Sequence, residues 1–283
     1  MTPYPEEPWH LAGQMYLSLW LEPRSELPAV ASGTQPVIAF GRGVVGAAWV
    51  VYEQDSVLHY NELLRAVLVR HGRRPRACIT DIWVDNEASL SGGRALWGIP
   101  KEMAHFDVER ADVVEAAASA GGRPLAASRF TKSRRLPGRW PLTYKMAQTL
   151  DGRLTTSKAS SKGALSFARA SWTAPTHSPL RSLGRRPPLL SVTLRDFSLR
   201  FGGRRARASG RPAPWPPGNP SGDDAEPVGP GRSDAGRRSP PAQSSPHDRT
   251  PSGGHRHLLV MSLPHIFSDN GRNPALVGNH WPP

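Results

Sequence analysis

The sequence has very little cysteine and no long hydrophobic run. Cys78 is the only cysteine in 283 residues, which excludes disulfides within the chain and cysteine-rich metal sites and fits a reducing compartment. No apolar run approaches the roughly 18 residues that a membrane-spanning helix needs. The first eight residues are acidic and rich in proline, unlike a signal peptide. These features predict a soluble, cytoplasmic protein.

The C-terminal part of the chain also lacks lysine and differs in composition from the rest. Residues 203–283 hold 15 of the 30 prolines and 11 of the 27 glycines. Together these make up about a third of the segment, a share typical of disordered sequence. Residues 1–202 carry nearly all the periodic apolar runs. We therefore predict one folded domain over residues 1–202 and a disordered tail over residues 203–283.

The chain carries a formal net charge of +13. Such a charge attracts phosphate without specificity. The arginines of the tail are, however, scattered among prolines and acids, and Trp215 is the one tryptophan in its arginine-bearing part. The composition therefore does not predict nucleic acid as a partner.

Alternation of apolar and polar residues predicts a mainly β (α+β) protein. Met15–Leu21, Ala77–Asn86 and Leu189–Phe201 alternate as half-buried strands do. Gly121-Gly122 and Asp151-Gly152 each separate two such runs, as hairpin turns do. Many short strands with few helices predict an antiparallel β-barrel or sandwich with a few short flanking helices.

Two short helices and one glycine-rich turn complete this prediction. Glu87–Leu90 is expected to form a helix that ends at Gly92-Gly93, and Ser178–Leu183 a second helix. The glycines at residues 41–46 match the spacing of dinucleotide-binding turns, but that mechanism requires a helix to follow. Ala47–Tyr52 instead favours a strand. A hairpin or bulge is the better interpretation, and we predict no cofactor and no metal.

A lysine follows a rigid turn between two predicted strands. Pro100 fixes φ and removes a backbone donor immediately before Lys101, and Gly92-Gly93 allow close backbone approach. Such a frame can hold an amine where solvent is scarce. The alternative is that Lys101 begins a strand and extends its amine to water.

The polar motifs between residues 60 and 102 resemble those of one family. The sequence contains Tyr60-x-Glu62, then Asp85-Asn86-Glu87, Gly93-Arg94 and Pro100-Lys101. In this order and combination it resembles the acetoacetate decarboxylase family. The later Trp172, Ser178-Pro179-Leu180 and Asp196-Phe197 resemble the actinobacterial-type branch of that family. The resemblance covers about residues 8–202 and implies a β-barrel-like fold assembled as a homo-oligomer.

The resemblance also implies site residues and a reaction. The family lysine that forms a Schiff base corresponds to Lys101, and the acid of the Tyr-x-Glu motif corresponds to Glu62. A Schiff-base-forming lyase acting on a β-keto acid or a related keto acid is therefore expected. Its candidate catalytic residues are Lys101 and Glu62, and its candidate substrate-binding residues are Tyr60, Arg94, Trp97 and Met103.

Three family positions are occupied by other residues in this chain. The second lysine of the family is replaced by Glu102, the second glutamate falls on Ala47 by counting back, and an N-terminal arginine falls near Gly13 or Gln14. In a strand, residues 101 and 102 point to opposite faces, so burial alone would lower the pKa of Lys101.

These departures leave other functions open. One is a Schiff-base enzyme of the aldolase or dehydratase type, and another is a non-catalytic barrel that binds a small ligand. For Glu62, the alternative to a place beside Lys101 is an exposed strand edge where it pairs with Arg65 or Arg94.

Overall fold

The protein is built almost entirely from β-strands. The computed structural model describes residues 2–203, in which 13 strands accompany one α-helix and a one-turn 3₁₀ helix (Arg24–Glu26). The helix is α1 (Glu87–Trp97). The strands, in chain order, are β1 (Trp9–Pro23), β2 (Gln35–Pro36), β3 (Ile38–Ala39), β4 (Arg42–Tyr52), β5 (Tyr60–His71), β6 (Arg74–Val84), β7 (Lys101–Met103), β8 (His105–Arg110), β9 (Val113–Ala120), β10 (Arg123–Arg135), β11 (Trp140–Leu150), β12 (Arg153–Thr173) and β13 (Leu190–Phe201).

Seven of these strands close into a barrel. Their order is β11, β6, β5, β4, β1, β13 and β12, and β12 pairs again with β11. The neighbours are antiparallel except for β11 with β6. Strands β10, β9 and β8 extend the sheet beyond β12. The predicted mainly β fold is confirmed, and the barrel is the form it takes.

Both hairpin turns predicted from glycine-containing residue pairs are present at those pairs. Gly121 and Gly122 connect β9 to β10 with φ of 55° and 74°, and Asp151 and Gly152 connect β11 to β12 with φ of 51° and 72°. Two successive residues with positive φ form the turn whose twist matches that of the flanking strands. Glycine adopts this region without the steric cost that a side chain brings.

The two faces of the sheet bury separate cores. Along β4, Ala47 and Trp49 pack in one core together with residues of β9 and β10, while Ala48 and Val50 pack in the other. This split follows from the alternation of side chains along a strand. The second core fills the inside of the barrel, because its members come from the barrel strands and from α1.

One helix prediction is right in its start and wrong in its end, and the other is wrong. Helix α1 does not end at Gly92-Gly93 but continues to Trp97, where Gly98 caps it in the left-handed region with φ of 65°. The two glycines serve packing instead, since both are buried within the helix. Ser178–Leu183 forms successive turns, with Arg181 N–H donating to the Ser178 carbonyl three residues back and Leu183 N–H to that of Leu180. These hydrogen bonds span three residues, so the segment forms turns and not an α-helix.

The last two predictions concern membrane-spanning helices and the C-terminal tail. Helix α1, the α-helix among residues 2–203, has 11 residues and is too short to cross a membrane. Apart from Gly203, the predicted disordered tail lies outside the described residues.

Candidate active site

The inside of the barrel contains a cavity of about 80 Å³. All seven barrel strands contribute side chains to its wall, mostly aliphatic and aromatic ones. Among residues 2–203, Lys101 and Glu62 are the only charged residues that line it. An apolar wall with a few polar groups that point to one place is characteristic of small-molecule sites.

Lys101 reaches this cavity from the first position of β7. This strand pairs in parallel with β6, where Lys101 lies opposite Ile82. The backbone is fixed on its other side, because Arg94 Nε donates a hydrogen bond of 2.7 Å to the Lys101 carbonyl. The side chain then runs along α1, where an added Cβ on Gly93 would lie 2.7 Å from Lys101 Cδ. Only 3 % of the lysine surface remains exposed.

The ammonium group of Lys101 has three hydrogen-bond acceptors. Nζ lies 2.7 Å from Ser89 Oγ, 3.1 Å from Glu62 Oε2 and 3.3 Å from the Tyr60 hydroxyl. The rings of Tyr60 and Trp9 face it as well, with centroids at 4.9 Å and 5.9 Å. All three protons of a charged lysine can therefore be used inside the barrel.

Glu62 is buried on β5, and tyrosines surround its carboxylate. Tyr52 and Tyr60 donate to its two oxygens at 3.4 Å and 3.5 Å. The alternative partners considered from the sequence are engaged elsewhere, since Arg65 pairs with Asp81 at 2.7 Å and Arg94 bonds a carbonyl. Glu62 is thus the counter-ion of Lys101.

Burial decides the protonation of these groups. It lowers the pKa of Lys101 from its ordinary value, and the nearby Glu62 charge opposes this effect only in part. The pKa values of Tyr52 and Tyr60 are raised well above the ordinary value by burial and by the same Glu62 charge. The phenols therefore stay protonated as donors, while the amine is shifted toward its neutral, nucleophilic form.

Tyr144 marks the mouth of the cavity. It lines the chamber, yet 42 % of its surface is exposed. Burial at the hydroxyl and the charge of Glu62 raise its pKa to about 12, so this phenol is neutral as well. Ser161, on the neighbouring strand β12, also lines the cavity.

Comparison with known proteins places this site in a family. The family profile described as acetoacetate decarboxylase matches residues 35–178, just over half of the chain. The chain belongs to the acetoacetate decarboxylase family. The matched segment contains Lys101 and every acceptor of its ammonium group. None of the curated proteins compared with the chain matches it in sequence.

Solved structures show the same fold. Acetoacetate decarboxylase from Legionella pneumophila subsp. pneumophila aligns with a TM-score of 0.53 and 17% identity, over 71% of this chain and 88% of that one. A second acetoacetate decarboxylase structure aligns with a TM-score of 0.51 and 14% identity, over 70% and 88%. The enduracididine biosynthesis enzyme MppR aligns with a TM-score of 0.49 and 18% identity, over 72% and 88%. At these identities the likeness concerns the fold alone.

Four of the six residues selected from the sequence line the cavity of this family member. Lys101, Glu62, Tyr60 and Trp97 do so. Arg94 is exposed on α1 and bonds the lysine backbone, so it acts on the site from outside.

Met103, the sixth selected residue, is 42 % exposed and does not line the cavity, although it follows Lys101 by two positions. Strand β7 ends at this residue, so the alternation that takes Lys101 inward is not continued into the barrel. Glu102 points to the opposite face, where it accepts a hydrogen bond from Trp83 Nε1 at 3.1 Å.

The other family positions are apolar or lie outside the cavity. Ala47 lies in the outer core, while Val50 of the same strand lines the cavity. The side chain of Gln14 donates to Asp196 at 3.0 Å. Position 47 therefore faces away from the cavity, and among residues 2–203 the cavity wall carries no acid besides Glu62.

Sequence reasoning missed Ser89, Trp9 and Tyr144. Ser89 lies four residues before Gly93, which places both on one face of α1. That spacing was a signal, but Gly92 and Gly93 were interpreted as the end of the helix and not as part of its packing face. Trp9 and Tyr144 come from strands distant in sequence, and only closure of the barrel brings them to the lysine.

Proposed function

We propose that the protein is a Schiff-base-forming lyase that acts on a β-keto acid or a related keto acid. The observation that carries this proposal is the Lys101 amine, which is buried in an apolar cavity beside one carboxylate. A lysine whose pKa is lowered by desolvation is a nucleophile toward carbonyl carbon. Membership of the acetoacetate decarboxylase family supports the same chemistry.

The first step is formation of the iminium. Lys101 passes one proton to Glu62 at 3.1 Å, and the neutral amine attacks the ketone carbon. The carbonyl oxygen takes one proton from the added nitrogen and the proton held by Glu62, and leaves as water. The nitrogen keeps one hydrogen and the positive charge of the iminium. Tyr60 and Tyr52 hold Glu62 in place by donating to both of its oxygens.

The second step breaks a carbon–carbon bond. In a β-keto acid the electron pair of the bond to the carboxylate moves into the iminium, carbon dioxide leaves and an enamine remains. The apolar walls favour this loss, because a carboxylate is poorly solvated there and carbon dioxide is neutral. Protonation of the enamine carbon and hydrolysis by water then release the ketone and the lysine.

A different observation favours a second candidate. Within the described part of the chain, Lys101 is the one cation that lines the cavity, and no arginine there would bind a ligand carboxylate. This composition suits a neutral ligand, either in a barrel that binds without catalysis or in a Schiff-base enzyme of the aldolase or dehydratase type.

The family resemblance also implies a homo-oligomer, which a native mass measurement tests.

Borohydride trapping tests these candidates. Acetoacetate plus borohydride is expected to attach a reduced adduct to the peptide that carries Lys101, and carbon dioxide should be released without borohydride. Lys101→Ala should abolish the adduct, whereas Lys158→Ala, which removes an exposed lysine, should not. Because Lys101→Ala leaves Glu62 buried without its cation, Lys101→Ala/Glu62→Gln serves as a second variant if the first is unstable.

The outcomes separate the proposals. An adduct at Lys101 with no release of carbon dioxide would support the other Schiff-base lyases. Absence of any adduct with acetoacetate, acetone or pyruvate would contradict Schiff-base chemistry and leave the binding barrel.

A further inference from the structure

Ser89 contacts the reacting nitrogen more closely than any other side chain. It is fully buried on α1, and its Oγ accepts the shortest of the three hydrogen bonds of Lys101 Nζ, at 2.7 Å. The backbone N–H of Ser89 donates to Asn86 Oδ1 at 2.9 Å, which caps the helix. This cap fixes the first turn of α1 and therefore the position of the hydroxyl.

The serine hydroxyl and the phenol of Tyr60 both border the same nitrogen, because Lys101 Nζ donates to them at 2.7 Å and 3.3 Å. A hydrogen bond from Ser89 acts to lower the pKa of Tyr60, against the larger effects of burial and Glu62, which is the direction expected when serine donates to the phenol oxygen. Tyr60 in turn donates to Glu62 Oε2 at 3.5 Å. Ser89, Tyr60 and Glu62 thus form a chain of hydroxyls and carboxylate that begins and ends at Lys101 Nζ.

We propose that Ser89 is a catalytic residue that carries the proton required to dehydrate the carbinolamine. The proposal rests on the proposed function, because the carbinolamine exists only if Lys101 forms a Schiff base. Glu62 first takes a proton from the Lys101 ammonium, and the amine adds to the carbonyl. The alkoxide formed by the addition takes a proton from the nitrogen and becomes the carbinolamine hydroxyl. Protonated Glu62 no longer accepts from Tyr60, so the hydroxyls of Tyr60 and Ser89 turn, and Glu62 donates to Tyr60, Tyr60 to Ser89 and Ser89 to the carbinolamine hydroxyl. One proton then moves along this chain in that direction, to the carbinolamine hydroxyl.

That hydroxyl leaves as water when the carbon–oxygen bond breaks, and the nitrogen lone pair forms the iminium. Each relay group gives up one proton and receives one, so Glu62 returns to a carboxylate. The geometry suits the last transfer, because the departing oxygen is bonded to the carbon attached to Nζ. A hydroxyl 2.7 Å from Nζ can reach hydrogen-bond distance of an oxygen that is only two bonds from Nζ.

Loss of Ser89 has opposite consequences under the two roles it can have. If Ser89 only stabilises the resting ammonium, Ser89→Ala removes an acceptor, lowers the pKa of Lys101 further and makes imine formation at neutral pH faster. If Ser89 relays the proton, the same change slows imine formation, because general acid catalysis contributes roughly 100-fold or more. The sign of the rate change therefore distinguishes the roles.

The rate of imine formation from acetone tests the proposal. Acetone has no carboxylate to lose, so trapping with excess cyanoborohydride, followed by intact-mass measurement, reports imine formation alone. Ser89→Ala is expected to slow trapping about 100-fold across neutral pH while the final extent of labelling is unchanged. Ser91→Ala, the same substitution at a half-buried position of the same helix, should trap at the wild-type rate.

A third variant and the wild type complete the test. Ser89→Cys keeps a small side chain with a weaker donor, so its rate should fall between those of wild type and Ser89→Ala, and it replaces Ser89→Ala if that variant does not fold. A rate in Ser89→Ala or Ser89→Cys equal to or above wild type overturns the relay while Schiff-base function stands. No labelling of the wild-type protein by acetone or acetoacetate would overturn both.

Discussion

The close contact between Gly93 and the lysine side chain gives a quantitative prediction. An added Cβ at Gly93 would lie 2.7 Å from Lys101 Cδ and 2.9 Å from Cε. Carbon atoms in contact normally lie about 3.5 Å apart or more, so Gly93→Ala displaces the lysine by about 0.8 Å. Because a misplacement of about 1 Å can cost about 100-fold in rate, we expect imine formation to fall by one to two orders of magnitude.

The same substitution should change stability much less. Alanine favours a helix interior over glycine by about 1 kcal/mol. Overpacking costs about 1–3 kcal/mol, and the two effects partly cancel. The net loss of unfolding free energy is then at most about 2 kcal/mol, which corresponds to less than about 8 °C in Tm for a domain of this size.

Trapping rate and thermal melting, measured on one preparation, check both parts. Gly92→Ala is the contrasting variant, because its Cβ would lie 2.5 Å from Trp9 Cζ2, on a rigid indole packed against Trp97. It should lose more stability than Gly93→Ala. Wild-type trapping by Gly93→Ala would refute the idea that α1 sets the position of the amine.

Two further predictions concern pH and the C-terminal segment. The folded pKa of Lys101 lies below its ordinary value of 10.5, so between these two values the unfolded chain binds more protons and stability rises with pH. In urea unfolding, the unfolding free energy of the wild type should rise relative to that of Lys101→Met/Glu62→Gln as pH rises toward about 10. A difference between the two unfolding free energies that falls or stays constant over this range would contradict the burial of the amine. Truncation after Gly202 should leave Tm unchanged within error, because the removed residues 203–283 are rich in proline and glycine and have too little apolar surface to offset chain entropy. A large fall in Tm would show that this segment packs on the barrel.

The strands and turns could be predicted because local rules determine them. Alternation identified strands such as β6 and β13, and pairs of turn residues such as Gly121-Gly122 identified hairpins. The alternation rule also separated Lys101 from Glu102 correctly, as the bond between Glu102 and Trp83 shows. In each case the rule that made the prediction uses only residues that are close together along the chain.

The errors arose where tertiary packing overrides local preference. Gly92 and Gly93 are poor helix formers, and they were interpreted as a helix end. In the fold their lack of side chains admits Trp9 and the lysine stem, and that packing compensates for the low propensity. Ser89 was missed because its contact with the amine depends on how α1 packs against β7, which lies twelve residues further along the chain. Arg94 was selected as part of the Gly93-Arg94 motif, and the structure connects it to the amine through the backbone carbonyl of Lys101.

The barrel wall has one junction that is held much less tightly than the others. Strands β11 and β6 share a single ladder pair, Met146 with Ala77, while β11 and β12 pair along their whole length. A side-chain bond from Gln148 to the Ile79 carbonyl, at 3.0 Å, supplements it. Local opening requires least free energy where the fewest hydrogen bonds are lost, so amide exchange along the barrel should begin at this seam. Since Met146 also lines the cavity, parting of the seam would enlarge the chamber around Lys101 while the other six junctions stay paired.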